Sequence, residues 1–298
     1  MLEKITKVET NKQVNADFIL LSDIHASEET DYNWLYNAAK EIKNRDVTAV
    51  MVLGDSLNDG LDLESAKRLS DVYYEFGKVA PVIMISGNHD LVTPKQTDSG
   101  ERWFFIRKPE DVTVLEKVIN LFNDIPNVTF LRNEDKLLPG GIRVLGLDMK
   151  PAYYSNEEKN HLMLCDTLTG LFSDTLDKRE YNIFLSHSPI NLMNPEFREN
   201  FYVFDNVDLQ LAGHMHNGVL PYYLEWIVPG DRGLIGKKDG KLYLFPKLSK
   251  GKVHLGGNAY GVIANPYCTF SAEKKDKVKY NSLYPPVLQT VKVRKRVR

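Results

Sequence analysis

The chain has 298 residues, 43% of them hydrophobic and 26% charged, with a formal net charge of −2. That length can bury a large core, and the near-neutral balance gives no overall pull toward nucleic acid or membrane. No apolar run approaches the roughly 20 residues of a membrane span. Met1-Leu2-Glu3-Lys4 leads into no apolar h-region, so no signal peptide is read and a cytoplasmic location is expected. Two cysteines, Cys165 and Cys268, are too few for a disulfide framework, and no CxxC spacing suggests zinc or redox chemistry. The charge is uneven. Residues 273–298 hold nine Lys/Arg against two Asp/Glu, a balance of +7, which leaves −9 on residues 1–272.

In chain order, Phe18-Ile19-Leu20-Leu21 reads as a strand buried on both faces, because it lacks alternation. Asp31 is placed to cap a helix from Tyr32 to about Lys43, with Trp34, Leu35, Ala38, Ala39 and Ile42 on one stripe. Ala49–Leu53 is a second buried strand. A second helix runs from about Leu63 to Phe76, with Gly77 as its stop. Val82–Ile85 is the third strand. Three strands alternating with two helices make a βαβαβ unit with a parallel sheet.

Beyond it, Pro94–Gly100 reads as a polar loop, and Arg102–Ile106 as an aromatic stretch of core, lid or active-site mouth. Val112–Phe122 has helical periodicity. Residues 127–131 and 142–147 look like strands joined by a Pro139-Gly140-Gly141 turn. A helix follows over about Glu157–Leu171, then strands at Tyr181–Leu185 and Val207–Ala212. From Asn217 onward the signals are β: Lys241–Phe245, Val253–Leu255 and Tyr260–Ile263. The basic tail Lys292–Arg298 reads as a solvated edge strand or frayed terminus. Its alternatives are contact with a membrane surface or nucleic acid.

The polar groups cluster where the apolar runs stop: Asp23-Ile24-His25, Gly54-Asp55, Gly87-Asn88-His89-Asp90, His187 and Gly213-His214-Met215-His216. Open α/β sheets gather ligands at the carboxyl ends of their strands. Each motif alone has an ordinary reading as a cap, a turn or a surface histidine. His161 and His254 lie outside the motifs and read as ordinary. Together the motifs give nitrogen and oxygen donors with no thiolate, a set suited to Zn, Mn, Fe, Ni or Co. Two metals at about four ligands each need roughly eight donor positions, and a bridging carboxylate counts twice.

This order resembles the calcineurin-like metallophosphoesterase superfamily, whose pattern is D-x-H, G-D-x-x-D, G-N-H-[DE], a lone H, and G-H-x-H. The likeness spans residues 17–216. One departure is visible: Asn58 stands where the pattern has its second aspartate, and Asp59 follows. The resemblance implies a four-layer α/β/β/α fold, two mixed sheets flanked by helices, as one domain over residues 1–298. Residues 217–298 are then expected to complete the second sheet and end in the basic tail.

The resemblance also implies two divalent or trivalent metal ions (Mn, Fe, Zn or Ni). Asp23, His25 and His216 are expected on the first, Asn88, His187 and His214 on the second, and Asp55 between them. Metals about 3.5 to 4 Å apart share a hydroxide and clamp an in-line displacement at phosphorus. His89 is the expected catalytic group beside the phosphoryl oxygens. Asp90 is expected to orient its ring. The function implied is hydrolysis of a phosphomonoester or phosphodiester, the partner being a small-molecule phosphoester. A nuclease, a nucleotide pyrophosphatase and a non-catalytic phosphate- or partner-binding protein are the alternatives. With no Arg after His89, a phosphoprotein phosphatase is disfavoured.

Overall fold

The computed structural model describes residues 1–90, 94–96, 102–104, 109–148, 158–189, 205–238, 241–268 and 284–297. The strands and helices of the first half are β1 (Leu2–Thr10), β2 (Asn15–Leu21), α1 (Tyr32–Ile42), β3 (Ala49–Leu53), α2 (Leu63–Gly77), β4 (Val82–Ile85), β5 (Pro94–Gln96), β6 (Arg102–Phe104), α3 (Pro109–Asn123), β7 (Val128–Phe130), β8 (Glu134–Leu138) and β9 (Ile142–Gly146). The second half adds α4 (Glu158–Phe172), β10 (Tyr181–Leu185), β11 (Leu209–Ala212), β12 (Ile235–Lys238), β13 (Lys241–Leu244), β14 (Gly251–Gly256), β15 (Ala259–Ile263) and β16 (Val287–Lys295).

Two six-stranded sheets organise the molecule, ordered β1-β16-β2-β3-β4-β7 and β14-β15-β11-β10-β9-β8. In the first, only the β16–β2 pair is antiparallel. In the second, the edge strands β14 and β8 run antiparallel to a parallel centre. Both are mixed sheets.

The uninterrupted apolar runs follow from burial on both faces. Phe18, Leu20, Met51, Leu53, Ile83 and Ile85 face the second sheet and meet Val144, Ile183, Leu185, Leu209 and Leu211. Ile19, Leu21, Val50, Val52 and Met84 face the other way, onto Leu35, Ile42, Leu69, Phe76 and Phe122 of α1, α2 and α3. Leu145 and Phe184 on the outer face of the second sheet meet Leu164, Leu168 and Phe172 of α4. The layers are therefore α/β/β/α, as expected. Each fully buried Leu, Ile, Val or Phe contributes about 1.5–3 kcal/mol, which is why the central strands carry so little polarity.

The helices start where the sequence places them. The Asp31 carboxylate accepts the Asn33 and Trp34 N–H groups, and Asp62 accepts that of Ser65. Gly77 has a different reason from the one expected. It is the last helical residue, and a Cβ there would lie 2.8 Å from the Pro126 carbonyl, so it permits close approach rather than a left-handed stop.

Four further corrections concern connections. Residues 94–96 form a strand paired with β6, not a plain loop. Of the expected loop, residues 97–100 lie outside the described residues, as do Phe105, Ile106 and the side chains of Arg102–Phe104. β8 intervenes between β7 and β9, so the Pro139-Gly140-Gly141 turn joins β8 to β9, and β7 belongs to the first sheet. Only β14 and β15 of the C-terminal segment complete the second sheet, while β12 and β13 form a separate ribbon.

The basic tail is the fourth correction. β16 is neither edge strand nor frayed end; it lies inside the first sheet, with Val291 and Val293 between the sheets. Lys292 and Arg294 pair with Asp17, and Arg296 with Glu9. Acids on β2 and β1 thus offset part of the positive balance of this region.

Candidate metal centre

The parallel strands β2, β3, β4, β10 and β11 all end at one edge, and the polar motifs continue from them. Backbone bonds join the loops: Asp23 N–H to Gly54 O at 3.1 Å, His25 N–H to Asp55 O at 2.9 Å, and Gly213 N–H to His187 O at 2.9 Å. Side chains extend the joining. Asp55 Oδ1 accepts the His89 N–H at 2.8 Å, and the Asp23 carboxylate accepts the His214 N–H at 3.1 Å.

Two donor groups result. Asp23, His25, Asp55 and His216 bring ligand atoms within 4.8 Å of one another, and so do Asp55, His187 and His214. Asp55 belongs to both. Asn88 is buried, and among the described residues its Oδ1 has no hydrogen-bond donor. A buried amide oxygen with no donor costs about 1–3 kcal/mol, so an acceptor in this position suits a cation. The donor set fits a pair of metal ions in ligand type, grouping and burial.

The histidine rings are held in matching ways. Nδ1 of His187 meets the Leu53 carbonyl at 2.6 Å, and Nδ1 of His216 meets the Cys268 carbonyl at 2.9 Å. A carbonyl only accepts, so in each ring Nδ1 carries a proton and Nε2 is the nitrogen that could ligate. Nε2 of His187 lies 3.1 Å from Asp55 Oδ2, and Nε2 of His216 lies 3.5 Å from Asp23 Oδ1.

The backbone at this edge is strained. Asp23, His25, Asp55, His214 and His216 all have φ between 45° and 68°. The left-handed region costs an L-residue roughly 1–2 kcal/mol, so the five together store on the order of 5 kcal/mol or more. Strands and hydrogen bonds hold these residues where propensity would not.

Glycines make room. A Cβ at Gly87 would lie 2.2 Å from Asp55 Oδ1, and one at Gly213 would lie 2.0 Å from Ser22 Oγ. Gly54, at φ 86°, would strike the Gly87 N–H and the His187 ring. The G-D, G-N-H and G-H-x-H glycines therefore serve approach of one loop to the next.

Charge is finely set. Burial works to raise the Asp55 carboxyl, but the imidazoles of His187, His89 and His25 outweigh it and hold it well below the usual range. Burial works against charge on His187, yet Asp55 and Asp23 bring it up to about 9. His214 is pushed down to about 3 by burial and by His187. Burial and the nearby Asp55 push Asp90 up to about 6.

The expectation for Asp90 meets a different geometry. His89 Nδ1 faces the Asn58 carbonyl at 3.0 Å, and the Asp90 oxygens each accept a backbone N–H, from Leu57 and from Gly87, at 2.8 Å. The ring is therefore oriented by a main-chain carbonyl, and Asp90 braces the two loops. Because the Asn58 carbonyl serves His89, the change from aspartate at that position leaves this bond untouched. The carbonyls of Leu53, Asn58 and Cys268 were not foreseen; a main-chain acceptor has no side-chain signature. His254 pairs with the Gly257 carbonyl and belongs to neither donor group. The side chain of His161 lies outside the described residues.

A family model for calcineurin-like phosphoesterases matches residues 16–218. Among solved structures, the chain is similar to TT1561 of Thermus thermophilus, at 12% identity over 85% of this chain and 90% of that one, with a TM-score of 0.48. It is also similar to a dimetal phosphatase from Danio rerio, at 13% identity over 84% of this chain and 87% of that one, with a TM-score of 0.42. A search of curated proteins gave no match.

Proposed function

Because the chain belongs to the calcineurin-like phosphoesterase family, we propose that it hydrolyses a phosphomonoester or phosphodiester with the help of two metal ions. The observation that carries this reading is the sharing of one buried carboxylate, Asp55, by two donor groups. In it, Asp23, His25 and His216 hold one ion, Asn88, His187 and His214 hold the other, and Asp55 touches both. When bound, such a pair polarises phosphoryl oxygens and lowers the pKa of coordinated water.

The chain's own residues supply the rest. The Leu53 and Cys268 carbonyls fix the tautomers of His187 and His216, so no reorientation is needed on loading. The Asn58 carbonyl holds Nδ1–H on His89, so a second proton, carried on Nε2 in the doubly protonated ring, is the one given to the leaving oxygen, and the ring is left neutral with Nδ1–H in place. General acid catalysis of this kind contributes roughly 10²–10⁴ in rate. The Ser22 hydroxyl donates to Asp23 Oδ2 at 2.5 Å and keeps that carboxylate in place.

The test is hydrolysis of chromogenic mono- and diesters by the Mn²⁺-loaded protein, with metal content measured on the same sample. Turnover with about two ions per chain supports the reading. A metal-loaded protein inert toward every phosphoester would sink it.

A further inference from the structure

The described residues place an unusual surface beside the metal centre. His216 opens a short turn, His216–Val219, and the Gly218 carbonyl accepts the Leu234 N–H at 2.8 Å. From there the chain runs into the β12–β13 ribbon. A second segment, Tyr222–Ile227, is tied to the same region. The Lys250 ammonium donates to the Glu225 carbonyl at 3.5 Å and to the Gly230 carbonyl at 3.2 Å, and Asp231 Oδ2 accepts the Leu248 N–H at 2.9 Å, which joins residues 225–231 to the chain just after the ribbon.

These two segments expose large apolar side chains. Trp226 is 78% exposed, Leu242 74% and Leu244 66%, and Tyr223, Ile227 and Phe245 are each near half exposed. Leu242 and Leu244, alternate residues on a strand, share one face of the ribbon. A two-stranded ribbon is marginal on its own in water. Single exposed apolar residues are ordinary, but six on two joined segments mark a surface that something covers.

The charges say what. Among the described residues of 222–248, the acids turn inward: Glu225 pairs with Lys4 at 2.7 Å, and Asp231 is bonded to the Leu248 N–H. The exposed charges are Arg232, Lys241 and Lys247, all basic; by the same alternation Lys241 lies on the other side of β13 from Leu242 and Leu244, so it flanks their face and does not sit on it. A two-fold pairing of this face with a second copy would set like charge against like. A planar anionic surface would not. Aromatic side chains with apolar bodies and polar tips, flanked by lysine and arginine, suit the headgroup region of a bilayer.

We propose that the face built from Tyr222–Ile227 and the β12–β13 ribbon docks on an anionic lipid bilayer, holding the strand-end site near the membrane surface. The contact differs from the one the basic tail suggested, since Lys292, Arg294 and Arg296 are engaged by Asp17 and Glu9.

The experiment is co-sedimentation of the full chain with vesicles. One set is phosphatidylcholine alone, and the other is equal parts phosphatidylcholine and phosphatidylglycerol. The wild type is expected to sediment with the anionic set only, and to be released when salt is raised to about 0.5 M, where charges are screened within a few ångströms. Leu242→Ser with Leu244→Ser, and separately Lys241→Glu with Lys247→Glu, are each expected to weaken partitioning by roughly tenfold. Circular dichroism melts of both variants should match the wild type, which separates lost docking from lost folding. Wild type left in the supernatant with anionic vesicles overturns the proposal. So does a wild-type dimer on sizing that the Leu242/Leu244 variant abolishes, which would make a second copy the occupant.

Discussion

The strand-end site and the β12–β13 ribbon lie close together and are built on opposite terms. At the site, polar residues are buried, five of them hold left-handed backbone, and glycines let loops approach within contact. On the ribbon, apolar residues are exposed and the strands touch only each other as a sheet. The first region is over-determined by its neighbours, so strain persists there. The second has few internal constraints, so its side chains answer to what lies outside the molecule. One consequence is that substitutions of equal size should have very unequal effects.

The largest effect is expected at Gly87. An added methyl at Gly87→Ala meets the Asp55 carboxylate and N–H at 2.2–2.3 Å. Overpacking of this kind costs about 3 kcal/mol, and both donor groups share the displaced Asp55. Thermal melts and metal analysis should show a lowered Tm and loss of bound ions together. A methyl at Gly140, where nothing lies within 4 Å, should show only the smaller cost of its positive φ.

Next come the two neighbours Asn88 and His89. Asn88→Ala removes the buried oxygen that lacks a donor, and roughly one ion should remain in place of two. His89→Ala should keep both ions and lower turnover by roughly 10²–10⁴. Equal metal loss in the two variants would contradict the division of roles between them.

Leu242→Ser on the ribbon should change stability by less than about 0.5 kcal/mol. A larger drop in a denaturant melt would mean that the ribbon is packed within the chain after all. The smallest effect is expected at Glu3, on β1 beside Tyr222, whose hydroxyl donates to the Glu3 carbonyl. Partial burial works to raise its carboxyl, but Arg45 and Thr290 outweigh it and hold the pKa below the usual 4.5. A lowered acid pKa adds stability that is present above the unfolded value and lost as pH falls through the folded one. Glu3→Gln should therefore cost only about 0.2 kcal/mol at neutral pH, with the gap from wild type closing below about pH 4.

The sequence carried the central layers well, because strands buried on both faces leave unmistakable apolar runs. Ala49–Leu53 and Val82–Ile85 begin and end where those runs do. It failed at β1 and β8, whose charged outer faces blur alternation, and at β12, whose sequence Ile-Gly-Lys-Lys carries no apolar run. It misread β16 because Lys292 and Arg294 look solvated until Asp17 is seen beside them. The polar motifs converged as the strand ends implied, and the side chains that can ligate were legible as residue types. The groups that aim them were not: three backbone carbonyls, a brace by Asp90, and left-handed φ at residues with no steric excuse for it.

The placement of β16 bears on how the molecule is made. β1 emerges before the other described strands, yet among the described residues its neighbour in the sheet is β16, which emerges after them. Until then β2, whose end carries Asp23 and His25, has one side of its ladder open from Asn15 to Leu20. Long-range pairing of this kind slows folding and leaves strand edges available to other chains. The first arm of the strand-end site is thus carried on a strand whose edge stays open until Val287–Lys295 arrives.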